Sequence, residues 1–291
     1  MRRARAWWGC DVTSIDGDAQ GVSLEAMRGD GSRLSMRARY GIGCDGANSF
    51  VRKSLELGEV KAGDTVLEVG PGLGTLTRTL LCAGTDLYAI EADRTMHFHL
   101  TESLLPRFPK TFHLKEGDAV DFPRAGLVDP TDGSFKVIAN LPYAISTPWM
   151  DAICAGPHPS MMVLMLQREA AERLTAEVGT GHWSAVTAQV HLAFEKVKVH
   201  PVPTQSFNPP PKVDSCLLVL RRRPDAKRLS PRAREVARML FTQRRKQVGS
   251  AAKKLFPGAA DVTAWLADLP RYGLTSLARP EAIPAEAWLT L

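Results

Sequence analysis

Residues 65–84 read TVLEVGPGLGTLTRTLLCAG: a short apolar run, three spaced glycines, then a second apolar run at a different period. Val66, Leu67 and Val69 suit a strand buried within a sheet. Gly70, Gly72 and Gly74 form a turn that lets a ligand come close to the backbone. TLTRTLLCAG then reads as a helix closed by Gly84. In that order, the elements aim the free N–H groups of a helix start at whatever lies beyond the strand.

The same alternation continues outward. DLYAIEA (86–92) is a second strand, followed by a helix to about Leu105. TFHLKEGD (111–118) and FKVIANL (135–141) are a third and a fourth strand. STPWMDAICAG (146–156) is a helix with Ser146 or Thr147 as N-cap and Pro148 in its first turn. MMVLMLQ (161–167) is a fully apolar strand, with REAAERLTAE (168–177) as the next helix. EKVKVHPV (195–202) and KVDSCLLVLRR (212–222) are late strands joined by the proline-rich PTQSFNPPP. Strands alternating with helices imply an α/β fold with a mostly parallel sheet covered on both faces. After Arg223 the strand pattern stops. PRAREVARMLFTQRRKQVGSAAKKLF (231–256) and DVTAWLADL (261–269) read as helices of a small end domain.

Residues 1–58 follow another pattern, with period-2 stretches broken by Asp-Gly turns that suggest hairpin strands. Three units are therefore expected: an atypical N-terminal segment (1–58), a catalytic domain (59–223) and a helical domain (224–291).

Composition narrows the class. The chain has 291 residues, 44% of them hydrophobic, enough for a sizeable core. Its five cysteines lie far apart with no C-x-x-C pair, which argues against a zinc site or a disulfide framework and fits a reducing cytoplasm. No metal is implied. No apolar run approaches the roughly 20 residues that span a bilayer, so no membrane is expected. The basic start has no apolar stretch behind it, unlike a secretory leader. Net charge is +6, but residues 221–254 concentrate thirteen Lys or Arg against Asp225 and Glu235. Such a surplus suits phosphate contacts. It also fits a solvated helical face.

The chemistry lies at the strand ends. Glu68 sits inside the glycine turn, where it would repel a pyrophosphate; a ligand with a cationic end and no phosphate, such as S-adenosylmethionine, suits it better. Glu91 closes the second strand about twenty residues on, the place of an acid that binds both ribose hydroxyls. Asp118 ends the third strand, within reach of an adenine amino group. The fourth strand brings Asn140 to the same edge, followed by Leu141, Pro142 and Tyr143.

Together LEVGPGLGTLT, AIEAD, EGDAVDF and NLPYAISTP resemble the ribosomal RNA adenine dimethyltransferase family. MLQREAAERL, SFNPPPKVDS, FTQRRKQVGSAAKKL and RPEAIPAEAW extend the likeness over about residues 59–291. It implies a Rossmann-like S-adenosylmethionine-dependent methyltransferase sheet with a small C-terminal helical domain. It also implies dimethylation of two adjacent adenines near the 3′ end of small-subunit ribosomal RNA, within ribosome biogenesis in the cytoplasm. Asn140 and a backbone carbonyl near Leu141 would then accept N6–H bonds and turn the nitrogen lone pair toward the methyl donor. Pro142 would stiffen that turn. Tyr143 would stack on the base, worth about 1–3 kcal/mol, with Phe207 as a second aromatic. Arg221, Arg222, Arg244, Arg245 and Lys246 would hold RNA phosphates, and recognition would be largely of shape. A monomer is the default.

One expected element is missing: the glutamine-asparagine-phenylalanine-leucine stretch that opens the family's catalytic domain. GCDGANSFVR stands there instead and resembles the flavin-dependent aromatic hydroxylases, whose flavin site would use Asp45 and Gly46. Only about 40 residues precede it, too few for the dinucleotide fold that such a site needs. Residues 1–55 therefore read as a fragment joined to a methyltransferase. Three other functions stay open: a flavin or nicotinamide oxidoreductase, a non-catalytic ribosome-assembly protein on the same scaffold, and an N6 methyltransferase acting on other nucleic acid.

Overall fold

The computed structural model describes residues 10–18, 21–28, 30–38, 60–202 and 213–291. Among the described residues, the first of two sheets is an antiparallel meander of β1 (Cys10–Asp18), β2 (Gly21–Arg28) and β3 (Arg33–Ala38). Asp30-Gly31 makes the turn between β2 and β3: Arg28 N–H bonds Ser32 O at 2.8 Å and Gly31 adopts φ +81°. Asp16-Gly17 makes no turn, contrary to expectation. Both residues stay in β1, paired with Ser23 and Val22, because the ladder runs on to Asp18.

The second sheet holds β4 (Thr65–Val69), β5 (Asp86–Glu91), β6 (Phe112–Glu116), β7 (Lys136–Asn140), β8 (Met161–Gln167), β9 (Phe194–Val202) and β10 (Ser215–Arg222). Their order is β6-β5-β4-β7-β8-β10-β9, with the first five parallel and β10 antiparallel to both its neighbours. The chain winds outward from β4 to β6 and then returns across β4 to β7. That reversal opens a crevice at the carboxyl ends of β4 and β7, where open α/β sheets take ligands.

Helices α1 (Thr75–Cys82) and α2 (Arg94–Ser103) bury Leu80, Leu81 and Leu100 against Val66, Leu87 and Ala89. Trp149, Met150 and Ile153 of α3 (Ser146–Cys154) pack with Leu67, Val137, Ala139 and Met162 in a second cluster. Helix α4 (Arg168–Leu174) follows β8 as expected. Neither Ser146 nor Thr147 caps α3. Ser146 is its first residue, because a 3-10 turn at Tyr143–Ile145 runs straight into the helix, and its Oγ donates to Tyr143 O at 3.0 Å.

Helix α5 (Ala185–Ala193) has no counterpart in the sequence reading. Val186 and Val190 join the sheet-side cluster while Ala185, Ala188 and Leu192 join the helical one. A helix buried on nearly every side shows no amphipathic period, so its pattern gives no signal. The helical cluster also takes α6 (Pro231–Thr242), α7 (Val248–Leu255) and α8 (Ala260–Asp268), with Trp265 stacked on Trp288 at 4.9 Å. Residues 231–256 form two helices rather than one. Val248 N–H bonds Ala278 O and Gly249 N–H bonds Ser276 O, each at 2.8 Å, and a continuous helix would need those amides for itself.

Candidate active site

The glycine turn starts where β4 ends. Gly70 N–H donates to Ile90 O at 3.0 Å, tying the turn to β5. Gly70 has φ +67°, and a β-carbon there would meet Pro142 Cγ at 3.0 Å. Gly74 has φ +78°, and a β-carbon there would meet Leu100 Cδ2 at 2.7 Å. Only glycine satisfies the conformation and the close approach at both positions. Gly72 N–H points to β5 and donates to Glu91 Oε2 at 2.9 Å.

Glu68 is 2% exposed, and its Oε2 has no hydrogen-bond partner. Burial pushes its carboxyl up to about 8, and the nearby Glu91 charge adds to the rise. The neighbouring Thr77 hydroxyl offsets part of this, although Thr77 Oγ1 itself falls short of hydrogen-bond geometry. Glu91 is 8% exposed; besides Gly72 it accepts Asp93 N–H through Oε1 at 2.9 Å. Each of its oxygens keeps one lone pair for a ligand hydroxyl. Asp118 lies two residues past β6, exposed, with Oδ1 accepting Val120 N–H at 2.8 Å. Gly117 N–H bonds Glu91 O at 3.0 Å and holds that loop to the end of β5.

Asn140 is the last residue of β7 and is exposed at the rim. Leu141 N–H continues the ladder to Met165 O at 3.2 Å while its side chain is 1% exposed, anchoring the segment in the core. Pro142 packs on Gly70 and so fixes this segment against the glycine turn. Tyr143 is half-buried, and its OH lies 2.9 Å from Ser215 Oγ.

Thus the structure gathers Glu68, Gly70, Gly72, Gly74, Glu91, Asp118, Asn140, Leu141, Pro142 and Tyr143 along one sheet edge. Phe207, Asp45 and Gly46 lie outside the described residues. Sequence reasoning missed Ser215 and Thr77. Ser215 is 72 residues from Tyr143, and only the β8–β10 register brings it there. Thr77, at the third helical position after the glycines, could have been flagged as facing back onto β4.

Part of the basic run is engaged with acids of the protein itself. Arg221 and Arg222 stand opposite the start of β8, at the far end of the sheet from the rim. Arg221 pairs with Glu195 at 3.3 Å and Arg222 with Asp132 at 3.6 Å. Arg244 donates to Gly181 O at 2.7 Å and pairs with Glu281 at 3.6 Å. Arg228, Arg232, Arg234 and Arg238 also meet carboxylates. Much of the surplus is thus neutralised by acids distant in sequence, whereas Arg245 and Lys246 are exposed.

The sheet order, with β10 reversed beside β8, and the acid-lined glycine rim define a Rossmann-like methyltransferase fold. Residues 47–269 match the family described as ribosomal RNA adenine dimethylase, and the chain belongs to that family. It is a methyltransferase of the ribosomal RNA adenine type. It is 49% identical over 243 residues to ribosomal RNA small subunit methyltransferase A of Opitutus terrae, covering 84% of this chain and 87% of that one. The Synechococcus sp. (strain RCC307) protein of the same name is 32% identical, over 88% of this chain and 94% of that one. The crystal structure of a dimethyladenosine transferase from Plasmodium falciparum is similar with TM-score 0.58 and 28% identity, over 79% and 89% of the two chains. That of the 23S rRNA methyltransferase ErmE has TM-score 0.53 and 26% identity, over 82% and 94%. Residues 2–79 also match the FAD binding domain family, in line with the hydroxylase likeness of the N-terminal segment.

Proposed function

We propose that the chain transfers methyl groups from S-adenosylmethionine to N6 of two adjacent adenines near the 3′ end of small-subunit ribosomal RNA, two to each. The observation that carries this reading is the packing of Pro142 on Gly70, which joins the cofactor turn and the Asn140–Tyr143 segment into one rigid site. When bound, S-adenosylmethionine supplies an electrophilic methyl group on a positively charged sulfur.

Glu68 fits such a cation, since its buried carboxyl has an unpaired oxygen and gains by ionising beside positive charge. The glycine turn would hold the ligand's backbone-facing side, Glu91 its ribose hydroxyls and Asp118 its adenine. Asn140 Oδ1 and the carbonyl that follows it accept the N6–H bonds of the target base, drawing the nitrogen lone pair out of ring conjugation. Tyr143, its hydroxyl engaged with Ser215, is held as a stacking face. Rate comes mainly from this orientation, with no strong base required. Arg245 and Lys246 would meet RNA phosphates. The enzyme would work as a monomer on the small ribosomal subunit, in the cytoplasm.

The test is transfer of labelled methyl to small subunits lacking the modification, followed by digestion to nucleosides. Dimethyladenosine should form with the native chain and vanish with Asn140→Ala. Tight cofactor binding without any transfer would instead favour an assembly protein.

A further inference from the structure

A second cluster of charge lies at the opposite end of the sheet from the catalytic rim. Arg124 comes from the segment between β6 and β7, Asp132 from the loop before β7, Arg222 from the end of β10, and Arg228 from the stretch leading into α6. Among the described residues, Asp132 is the one carboxylate that meets Arg222 and Arg228. Arg228 Nη2 donates to its Oδ1 at 2.7 Å, His158 N–H to the same oxygen at 2.6 Å, and Arg222 Nη2 lies 3.6 Å from Oδ2. Asp151, on α3, is held by Arg234 at 2.9 Å and Arg238 at 3.9 Å.

Arg124 is left over. Its Nε is buried without a partner, as is that of Arg222, and no carboxylate among the described residues pairs with its guanidinium. Arg124 also feels the charge of Arg228, and burial acts against its charged form. The guanidinium is nevertheless held in place: a β-carbon on Gly156 would fall on its Nη2. His158 adds no charge, since burial holds its imidazole below the usual range while Nε2 meets Cys154 O at 3.2 Å. Three guanidinium groups against one carboxylate leave an excess of about two positive charges at this partly exposed site.

We infer that Arg124, Arg222 and Arg228 form a phosphate-binding site that takes a backbone phosphate of the RNA substrate, remote from the methylated base. The planar guanidinium forks suit phosphate oxygens. Arg222, Arg228 and Asp132 are each part-exposed, so a phosphate can enter from solvent. A β-strand of five residues spans about 17 Å, so only an extended, structured substrate would reach both ends of the sheet. The RNA source rests on the function proposed above; the phosphate chemistry does not.

The test uses the full chain and Arg124→Met. Melting is followed by calorimetry in chloride and in inorganic phosphate at equal ionic strength. Phosphate should raise the Tm of the native chain and leave that of the variant unchanged. In chloride the variant should be at least as stable as the native chain. An equal phosphate shift in both proteins, or a variant destabilised in chloride, would make Arg124 a packing residue and overturn the site. Binding of small-subunit RNA is then measured against salt, where the variant's slope should be smaller by about one. An unchanged slope with a phosphate-specific Tm shift would assign the site to free phosphate and overturn the RNA source. The melting arm involves no methyl transfer, so it stands or falls separately from the enzymatic reading.

Discussion

Replacing Glu68 with glutamine should stabilise the protein at neutral pH while weakening its hold on the cofactor. The folded chain keeps the Glu68 proton up to about pH 8, whereas the unfolded chain releases it near 4.5. Below pH 4.5 both states are protonated and Glu68 imposes no penalty. As pH rises from 4.5 to 8, unfolding releases a proton, and stability falls by about 1.4 kcal/mol per pH unit. At pH 7 the accumulated loss is about 3 kcal/mol. Glutamine has nearly the same shape and no charge in either state, so the loss disappears. Its amide adds a buried donor that lacks a partner, at about 1–3 kcal/mol, but that cost does not change with pH. Urea denaturation of both proteins at pH 5, 7 and 8.5 isolates the effect, because every other titration cancels in the difference. The variant should gain on the native chain by about 4 kcal/mol between the lowest and highest pH. A difference that stays constant with pH would refute the reasoning. Calorimetry with S-adenosylmethionine at pH 7 completes the test: the native chain should release a proton on binding as Glu68 ionises, and the variant should not.

Gly70→Ala should cost about 1–2 kcal/mol from its left-handed backbone alone, and more from the 3.0 Å approach to Pro142; Gly72→Ala, with open space around it, should carry only the backbone part, as paired urea midpoints would show. Asp151→Ala leaves the largely buried Arg234 without its carboxylate and should destabilise by about 3 kcal/mol. The double variant Asp151→Ala, Arg234→Met should recover part of that loss in the same denaturation assay. Arg244→Ala should lower stability by about 1–2 kcal/mol through its lost bonds to Gly181 and Glu281. Arg245→Ala and Lys246→Ala should leave the Tm unchanged and flatten the salt dependence of RNA binding.

The N-terminal sheet illustrates how far local pattern reaches. Its hairpin strands were legible because period-2 alternation is a property of each strand alone. Asp16-Gly17 nonetheless failed as a turn, since a dipeptide with turn propensity remains in a strand when its neighbour offers a continuous ladder. The same limit explains the missing α5. Its helix is defined by burial between two cores, and a sequence apolar on nearly every side carries no phase.

Within the site, the glycine turn, the three acids and the Asn140–Tyr143 segment could be read directly. Each sits at a strand end, and parallel strands bring such ends to one edge. The sequence by itself determined the alternation of strands and helices and the residue types at that rim, because both are encoded over spans of ten residues or fewer. Tertiary structure alone decided the rest: that Pro142 seats on Gly70, that Ser215 meets Tyr143, and that seven of thirteen basic residues from Arg221 to Lys254 find carboxylates while Arg124 finds none among the described residues. Pairing across such distances depends on which segments the sheet order brings together, and the charge of a linear run says nothing of its neighbours in space.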